Sequence, residues 1–144
     1  MAIWFGEAPL AYARERAAQS MIGHLGIEVI EAGDDYLKAR MPVDHRTKQP
    51  AGVLHGGASV ALAETLASWG AAFCVDRSEH HCVGLEINAN HIRPVSSGMV
   101  TGTARPIHLG RTTHVWEIRI TDERDKLVCV ARITMAVLST AMQY

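Results

Sequence analysis

The sequence predicts an α+β protein in which one long α-helix packs against a six-stranded antiparallel β-sheet. Apolar residues recur every three to four positions across residues 56–74, as they do on one side of an α-helix. Six other stretches alternate apolar and polar residues, which is typical of half-buried strands. One helix does not cover the apolar faces of six strands, so we also expect the chain to self-associate.

The N-terminal third is predicted to contain a helix, a hairpin and a loop. Residues 7–20 are rich in alanine and place their apolar side chains on one helical stripe. Residues 24–29 and 36–43 alternate apolar and polar side chains around a Gly-Asp-Asp turn, which predicts two paired strands. Residues 44–54 are polar and contain a proline and a glycine, which predicts a loop.

The C-terminal half is predicted to supply the remaining four strands. They cover residues 82–92, 98–106, 112–121 and 126–138. In the first of them, the alternation predicts one shared apolar face, formed by Val83, Leu85, Ile87 and Ala89. The 144 residues are expected to form a single domain, 1–144, with residues 1–20 as an N-terminal helical extension.

Composition narrows the classes of partner. The formal net charge is −1 and the isoelectric point is near 6.7, so no overall field attracts nucleic acid or an anionic membrane. The longest apolar run contains Glu64 and several small residues, which does not fit a membrane span. The three cysteines have scattered spacings, and the N-terminus lacks a secretory signal pattern. We therefore expect reduced thiols and a cytoplasmic location.

The long helix has two different faces. One face carries large apolar residues and is predicted to pack on the sheet: Ala58, Leu62, Leu66, Trp69 and Phe73. The other face carries small residues, one acid and one hydroxyl: Gly57, Ala61, Glu64, Ser68 and Ala71. This second face leaves space above Glu64, as a reaction site requires. Alternatively, it packs closely on a symmetry-related helix, with Glu64 in a structural salt bridge.

The start of this helix offers a second candidate group. Gly56 and Gly57 follow His55, and the first N–H groups of a helix have no intrahelical partner. They favour a negatively charged oxygen, and an acid two turns further on suits acyl transfer. Taken by itself, His55 is better explained as a helix cap or a loop histidine, and Gln49 as an ordinary loop residue.

Three longer motifs resemble a known family. They are MPVDHRTKQPAGVLHGGASVALAETLAS, VGLEINANHIRPVSSG and PIHLGR. Together they resemble the hotdog-fold acyl-CoA thioesterases, in the branch that contains the enterobactin-pathway proofreading thioesterase and the 1,4-dihydroxy-2-naphthoyl-CoA thioesterase. The likeness runs over residues 23–138. It implies a hotdog fold, a long central α-helix wrapped by an antiparallel six-stranded sheet, and a homotetramer built from two dimers.

The resemblance also implies catalytic roles. Glu64 would act as nucleophile or as general base on water, and the Gly56 N–H would polarise the thioester carbonyl. Gln49 and His55 would come from the neighbouring subunit and orient the substrate, while Ser68 would hold the attacking water or the acyl group. Trp69 is larger than its counterpart in the two named relatives, so we expect it to reshape the acyl pocket.

The same resemblance implies a set of coenzyme A contacts. They are Val83, Gly84, His91, Ile92, Arg93, Pro94, His108, Leu109, Gly110, Arg111, Thr112 and Thr113. Arg93, Arg105 and Arg111 would supply positive charge for the phosphates.

The expected activity is hydrolysis of acyl-CoA, preferably aromatic acyl-CoA, to acid and free CoA. Acyl groups on a phosphopantetheine carrier protein are a further expected substrate. No metal or redox cofactor is expected, because HExxH and GxSxG motifs and ligand-spaced Cys/His clusters are absent from the sequence. A hotdog hydratase or dehydratase and a non-catalytic acyl-CoA-binding module remain the alternatives.

Overall fold

A computed structural model describes residues 1–8 and 10–141 and contains one long helix packed on a six-stranded antiparallel sheet. The elements in chain order are α1 (Leu10–Ala17), α2 (Met21–His24), β1 (Glu28–Ala32), β2 (Leu37–Pro42), α3 (Gly56–Phe73), β3 (His80–His91), β4 (Met99–Leu109), β5 (Thr113–Thr121) and β6 (Leu127–Ser139). Their order across the sheet is β1-β2-β4-β5-β6-β3, so β1 and β3 are the edge strands. The predicted α+β class and central helix are confirmed.

The core lies between α3 and the inner face of the sheet. Leu62 and Leu66 on α3 are fully buried, together with Trp116 and Ile118 on β5. The two elements approach closely at Gly70, where an added Cβ would lie 2.9 Å from Trp116 Cη2. Burying each large apolar side chain stabilises the fold by about 1.5–3 kcal/mol, so this layer holds α3 firmly in place.

The N-terminal elements are shorter than predicted. The helix expected over residues 7–20 is α1, which ends at Ala17, while α2 begins after Ser20. The Ser20 hydroxyl oxygen caps α2 by accepting the Ile22 N–H at 3.2 Å. The prediction of a strand over residues 24–29 is wrong for its first part, because α2 and a turn at Gly26, with φ of 73°, precede β1.

A β-bulge interrupts the edge strand β3. Gly84 pairs with Met135 and Glu86 pairs with Thr134 on β6, so Leu85 is an extra residue between them. Its side chain is 64% exposed. The bulge therefore reverses which side chains face the helix along the strand.

The predicted common face of β3 is wrong in its first half for this reason. Beyond the bulge, Ile87 and Ala89 pack against the core as expected. Before it, Cys82 packs against the core and Gly84 faces α3, in place of Val83. A strict alternation cannot reveal an inserted residue, so the sequence pattern alone assigns the wrong side chains to the inner face.

The other strands lie within three residues of their predicted bounds, and β4 extends furthest beyond them, to Leu109. No helix in the described part of the chain is both long and apolar enough to cross a bilayer.

Candidate active site

Glu64 lies in the middle of α3 and points at the edge strand. Its Oε1 lies where a side chain on Gly84 would begin, because an added Cβ there would be 2.6 Å away. Within residues 1–8 and 10–141, no hydrogen bond or ion pair engages this carboxylate. The alternative of a structural salt bridge within the chain is therefore not observed, and the carboxylate is available for reaction.

A cavity of about 450 Å³ opens beside Glu64. Ser68 lies one helical turn from Glu64 and lines the same cavity, and no described residue hydrogen-bonds to its hydroxyl. The other lining residues are Met21, Ile22, Leu25, Ile27, Ala61, Thr65, Trp69 and Ala72. The site is an apolar pocket with one acid and two hydroxyls on its α3 wall, as ligand sites commonly are.

The helix face is rotated slightly from the one predicted. Ala61, Glu64 and Ser68 line the cavity as expected, whereas Ala71 is fully buried and belongs to the core. Thr65 and Ala72 take part instead. Residues three to four positions apart line the cavity, whatever their size. The spacing along the helix therefore predicts this face better than the size of the side chains does.

Trp69 was predicted to face the sheet, and this prediction is incomplete. Its ring packs at 5.7 Å from the Phe73 ring and at 6.2 Å from the Tyr12 ring, yet it also lines the cavity next to Ser68. The aromatic contacts hold the indole in place at the cavity wall. The segment around α2, which the sequence did not connect with the site, forms the opposite wall.

The start of α3 forms a second group of candidate functional atoms. His55 is the N-cap, and its Nδ1 accepts the Gly57 N–H at 2.8 Å. No acceptor in the described part of the chain receives the Gly56 N–H, so this donor is free for a ligand. The His91 imidazole lies over Gly56, where an added Cβ would be 2.8 Å from Nε2. Glycine is required at this position for the close approach.

Gln49 belongs to the same group. It lines a groove of about 320 Å³ together with Gly56, His91 and Arg93. Its Oε1 accepts the Ala51 N–H at 2.5 Å, which orients the side chain within the loop. His91 was predicted as a coenzyme A contact, and the structure places it beside the proposed carbonyl-binding amide.

These two groups do not meet within one chain. Gly56 and Glu64 are eight residues apart on α3, which corresponds to about 12 Å along the axis. A carbonyl that accepts a hydrogen bond from Gly56 is thus out of reach of Glu64 of the same chain, because attack requires about 3 Å. We refer to Glu64, Ser68 and Gly84 as the acid half-site, and to Gln49, His55, Gly56 and His91 as the amide half-site.

The predicted coenzyme A contacts fall into separate places. His91, Ile92, Arg93 and Pro94 line the groove of the amide half-site. Leu109, Gly110 and Arg111 line a cavity near the other end of the sheet, with Cys74, His80 and the buried His114. His108, Thr112 and Thr113 lie in or beside the same β4–β5 turn, and Val83 lies near the start of β3. Arg105 is not free, since it forms an ion pair with Asp35.

No thiolate or metal cluster offers an alternative reaction centre in the described chain. Burial raises the pKa of Cys74 to about 12 and that of Cys82 to about 11, so both thiols stay protonated at neutral pH. No three His, Cys, Asp or Glu side chains of residues 1–8 and 10–141 are grouped so that they can hold a metal ion. The expectation that hydrolysis needs no metal remains a prediction.

Fold and site together define a class. A helix wrapped by an antiparallel sheet, an unpaired carboxylate on that helix and a free amide at its start are the arrangement of a hotdog-fold hydrolase. The model of the Thioesterase superfamily matches residues 51–129, more than half of the chain. The chain belongs to this superfamily.

Solved structures and curated relatives agree with the assignment. A mutant of the thioesterase PA1618 from Pseudomonas aeruginosa superposes with a TM-score of 0.94 at 50% identity, covering 96% of this chain and 99% of that one. Thioesterase HI1161 from Haemophilus influenzae gives a TM-score of 0.94 at 48% identity, covering 99% of both chains. The 1,4-dihydroxy-2-naphthoyl-CoA hydrolase of Escherichia coli is 47% identical over 136 residues, 94% of this chain and 99% of that protein. The chain is an enzyme of the thioesterase class.

Proposed function

We propose that the protein hydrolyses acyl-CoA thioesters, with a preference for aromatic acyl groups, to the free acid and CoA. The observation that carries this proposal is the unpaired Glu64 carboxylate against Gly84 at an apolar cavity. A thioester carbonyl placed there is attacked by the carboxylate itself or by water that the carboxylate deprotonates. In the first route, the acyl group stays on Glu64 as a mixed anhydride, which water then hydrolyses to the free acid; in the second, water gives the acid directly. In both routes the C–S bond breaks and the thiolate takes up a proton and leaves as the CoA thiol, so no redox partner is needed.

Two copies of the chain complete each site in this proposal. Gly84 and His91 lie on the edge strand β3, which has no neighbour on its outer side. Antiparallel pairing of two β3 strands, centred between Ile87 and Asn88, places Gly84 of one copy opposite His91 of the other. The acid half-site of one copy then faces the amide half-site of the second. A tetramer of two such dimers follows from the family resemblance.

The roles within the joined site follow from the donors and acceptors. The free Gly56 N–H donates to the carbonyl oxygen and stabilises the negative charge that develops on it. The Gln49 amide and the His55 and His91 imidazoles line the side from which the thiol departs. Ser68, one turn from Glu64, holds water or the acyl group. Because these donors are fixed before the substrate binds, little reorganisation accompanies the reaction.

Support for an aromatic acyl group comes from the cavity wall. Trp69 presents its ring beside Ser68, and the remaining lining is almost entirely apolar. A flat acyl ring gains both burial and ring–ring contact there. The name of the Escherichia coli relative specifies a naphthoyl-CoA, which is also aromatic. The free cysteines and the near-neutral charge fit a cytoplasmic enzyme acting on a small-molecule thioester.

The direct test is thiol release from a panel of thioesters. Benzoyl-CoA, hydroxybenzoyl-CoA and 1,4-dihydroxy-2-naphthoyl-CoA are compared with acetyl-, hexanoyl- and lauroyl-CoA, and with the same acyl groups on a phosphopantetheine carrier protein. We expect the largest kcat/KM for the aryl-CoA substrates. Saturable binding without release of CoA would instead identify a binding module. Equal or better turnover of aliphatic substrates would overturn the aromatic preference alone.

A further inference from the structure

A basic basin lies where the chain leaves β3 and the β5–β6 turn folds beside it. The basin has a volume of about 450 Å³ and is lined by Arg93, Ser96, Ser97, Arg124 and Lys126. Nothing in the resemblance or the comparisons assigns a role to Arg124 or Lys126. The protein has a formal net charge of −1, so three cations around one depression are a local concentration of positive charge.

The acids in this basin are already engaged by backbone amides. Asp122 Oδ1 accepts the N–H groups of Arg124 and Lys126, both at 2.9 Å. Glu123 Oε1 accepts the Met99 N–H, also at 2.9 Å. The backbone hydrogen bonds, together with the fields of Arg93 and Arg124, lower the pKa of Asp122.

The three cations are not paired. Within the described part of the chain, no carboxylate lies within 4 Å of the charged nitrogens of Arg93, Arg124 or Lys126. Three cations therefore face two carboxylates, and one oxygen of each carboxylate already accepts backbone N–H groups. The excess positive charge suits an anion with several oxygens, such as a phosphate.

The turn that carries Arg124 and Lys126 is held in shape before any ligand binds. The Asp122 N–H donates to the Lys126 carbonyl at 2.9 Å, and the Asp125 N–H donates to the Asp122 carbonyl at 3.0 Å. Asp125 adopts φ of 60°, as tight turns require at this position. A preformed turn costs less entropy on binding than a mobile loop does.

The basin adjoins the groove of the amide half-site. Arg93 and Pro94 line both depressions, and Gly56 and His91 also line the groove. A ligand whose carbonyl is bound at Gly56 can therefore extend past Pro94 into the basin. The turn at residues 109–113, by contrast, lies at the opposite end of the sheet of the same chain.

We propose that this basin binds the phosphate groups of the CoA moiety of the substrate, with Arg124 and Lys126 as further binding residues. This inference rests on the proposed function, since it needs a thioester bound at Gly56. The nucleotide of acyl-CoA carries a diphosphate and a 3′-phosphate. These negatively charged groups can pair with several cations, whereas the uncharged thioester group cannot.

The test compares acyl-CoA with the acyl-pantetheine thioester of the same acid, which lacks the nucleotide phosphates. The quantity measured is the ratio of kcat/KM for the two substrates in wild type and in the Arg124→Ala/Lys126→Ala variant. We expect the ratio to fall about tenfold or more, through a higher KM for acyl-CoA. The control Lys38→Ala/Arg40→Ala makes the same charge change on β2, and there the ratio should stay as in wild type.

The outcomes separate this inference from the proposed function. If wild type hydrolyses neither thioester, the proposed function fails. If wild type hydrolyses both and the ratio does not change in the double variant, the basin is not the phosphate site. Loss of activity only with carrier-protein substrates would make the basin a protein-docking surface and would also overturn the CoA assignment. A smaller effect with dephospho-CoA thioesters would show that the 3′-phosphate is the group bound.

Discussion

The acid half-site and the amide half-site lie on the same helix and the same edge strand, yet they are built differently. In the acid half-site, a single carboxylate lies among apolar side chains and its position depends on the absence of a side chain at Gly84. In the amide half-site, a backbone N–H, a helix cap and an imidazole are held by the start of α3 and its loop. In the proposed mechanism, one half supplies the attacking group and the other supplies the charge stabilisation.

In the proposed mechanism, this difference makes a monomer chemically incomplete. A carboxylate without a polarised carbonyl has a poor electrophile to attack, and an amide donor without a nucleophile only binds substrate. Because about 12 Å of helix separates the two half-sites, the proposed active site requires two chains to associate at the β3 edge.

The largest effect is expected from removing the charge of the acid half-site. Glu64→Gln keeps the size and leaves the neighbouring packing in place, so we expect kcat to fall by about 10³-fold or more with the oligomer retained. Thiol release measures the rate, and light scattering measures the assembly. Glu79→Gln, in the exposed turn before β3, is the matched control. Near-normal turnover in Glu64→Gln would remove this residue from the mechanism.

The second prediction joins one intact half from each of two inactive chains. Gly56→Pro removes the N–H donor at the first position of the helix, where the helix backbone tolerates proline, and its ring also displaces the His91 imidazole. Because both changes disable the amide half-site, kcat should fall by about 10²-fold or more. Co-refolded with Glu64→Gln, it should give mixed dimers with one complete site and recover roughly one quarter of wild-type activity.

The control for the mixing experiment is each variant refolded alone. Recovery above the sum of the two separate activities supports sites shared between chains. If mixing restores nothing although mixed dimers form, the proposal of sites shared between two chains is wrong.

A third prediction concerns the place where Glu64 meets the sheet. Gly84→Ala would put a methyl group 2.6 Å from Glu64 Oε1, so the carboxylate must move. We expect kcat to fall about 10- to 100-fold with a smaller change in KM, since the attacking carboxylate is displaced while the Gly56 N–H is retained. Leu85→Ala, at the neighbouring exposed bulge position, should behave like wild type. Equal losses in both variants would point to a general disturbance of β3.

The smallest effect is expected in the loop that leads to the amide half-site. Hydrogen bonds from Arg46 lower the pKa of Asp44 to about 2, and its unfolded value is near 3.8. A depressed carboxyl pKa stabilises the folded state above pH 4, and this contribution is lost as the pH falls towards 2. Asp44→Asn should therefore lower Tm slightly at pH 7, and the difference from wild type should shrink between pH 4 and pH 2. A constant difference across this range would contradict the assignment.

The sequence predicted the acid half-site better than its surroundings. Glu64 and Ser68 are prominent because an acid and a hydroxyl one turn apart are unusual in an apolar helix, and the structure places both at the cavity. The bulge at Leu85 was not predictable from alternation. The extra residue turns Gly84 towards α3, but the apolar–polar pattern on either side of it does not change. The contribution of α2 was also missed, since four residues are too few for a periodic signal.

The amide half-site depended more on resemblance than on pattern. His55 as a helix cap was derived from its position, and the structure shows this bond to Gly57. The approach of His91 to Gly56 is a contact between residues 35 positions apart, which no local pattern encodes. Such contacts become visible only when the strand order and the bulge are known.

The three tryptophans report on different parts of the molecule. Trp4 is partly buried; it stacks at 6.5 Å on the fully buried Trp116, and its Nε1 donates to the Gly33 carbonyl at 2.7 Å, so both indoles are held in place. Trp69 is the indole that lines the cavity. Intrinsic fluorescence of a Trp4→Phe/Trp116→Phe protein would consequently isolate the emission of Trp69, and quenching of that signal would follow the arrival of an acyl group in real time.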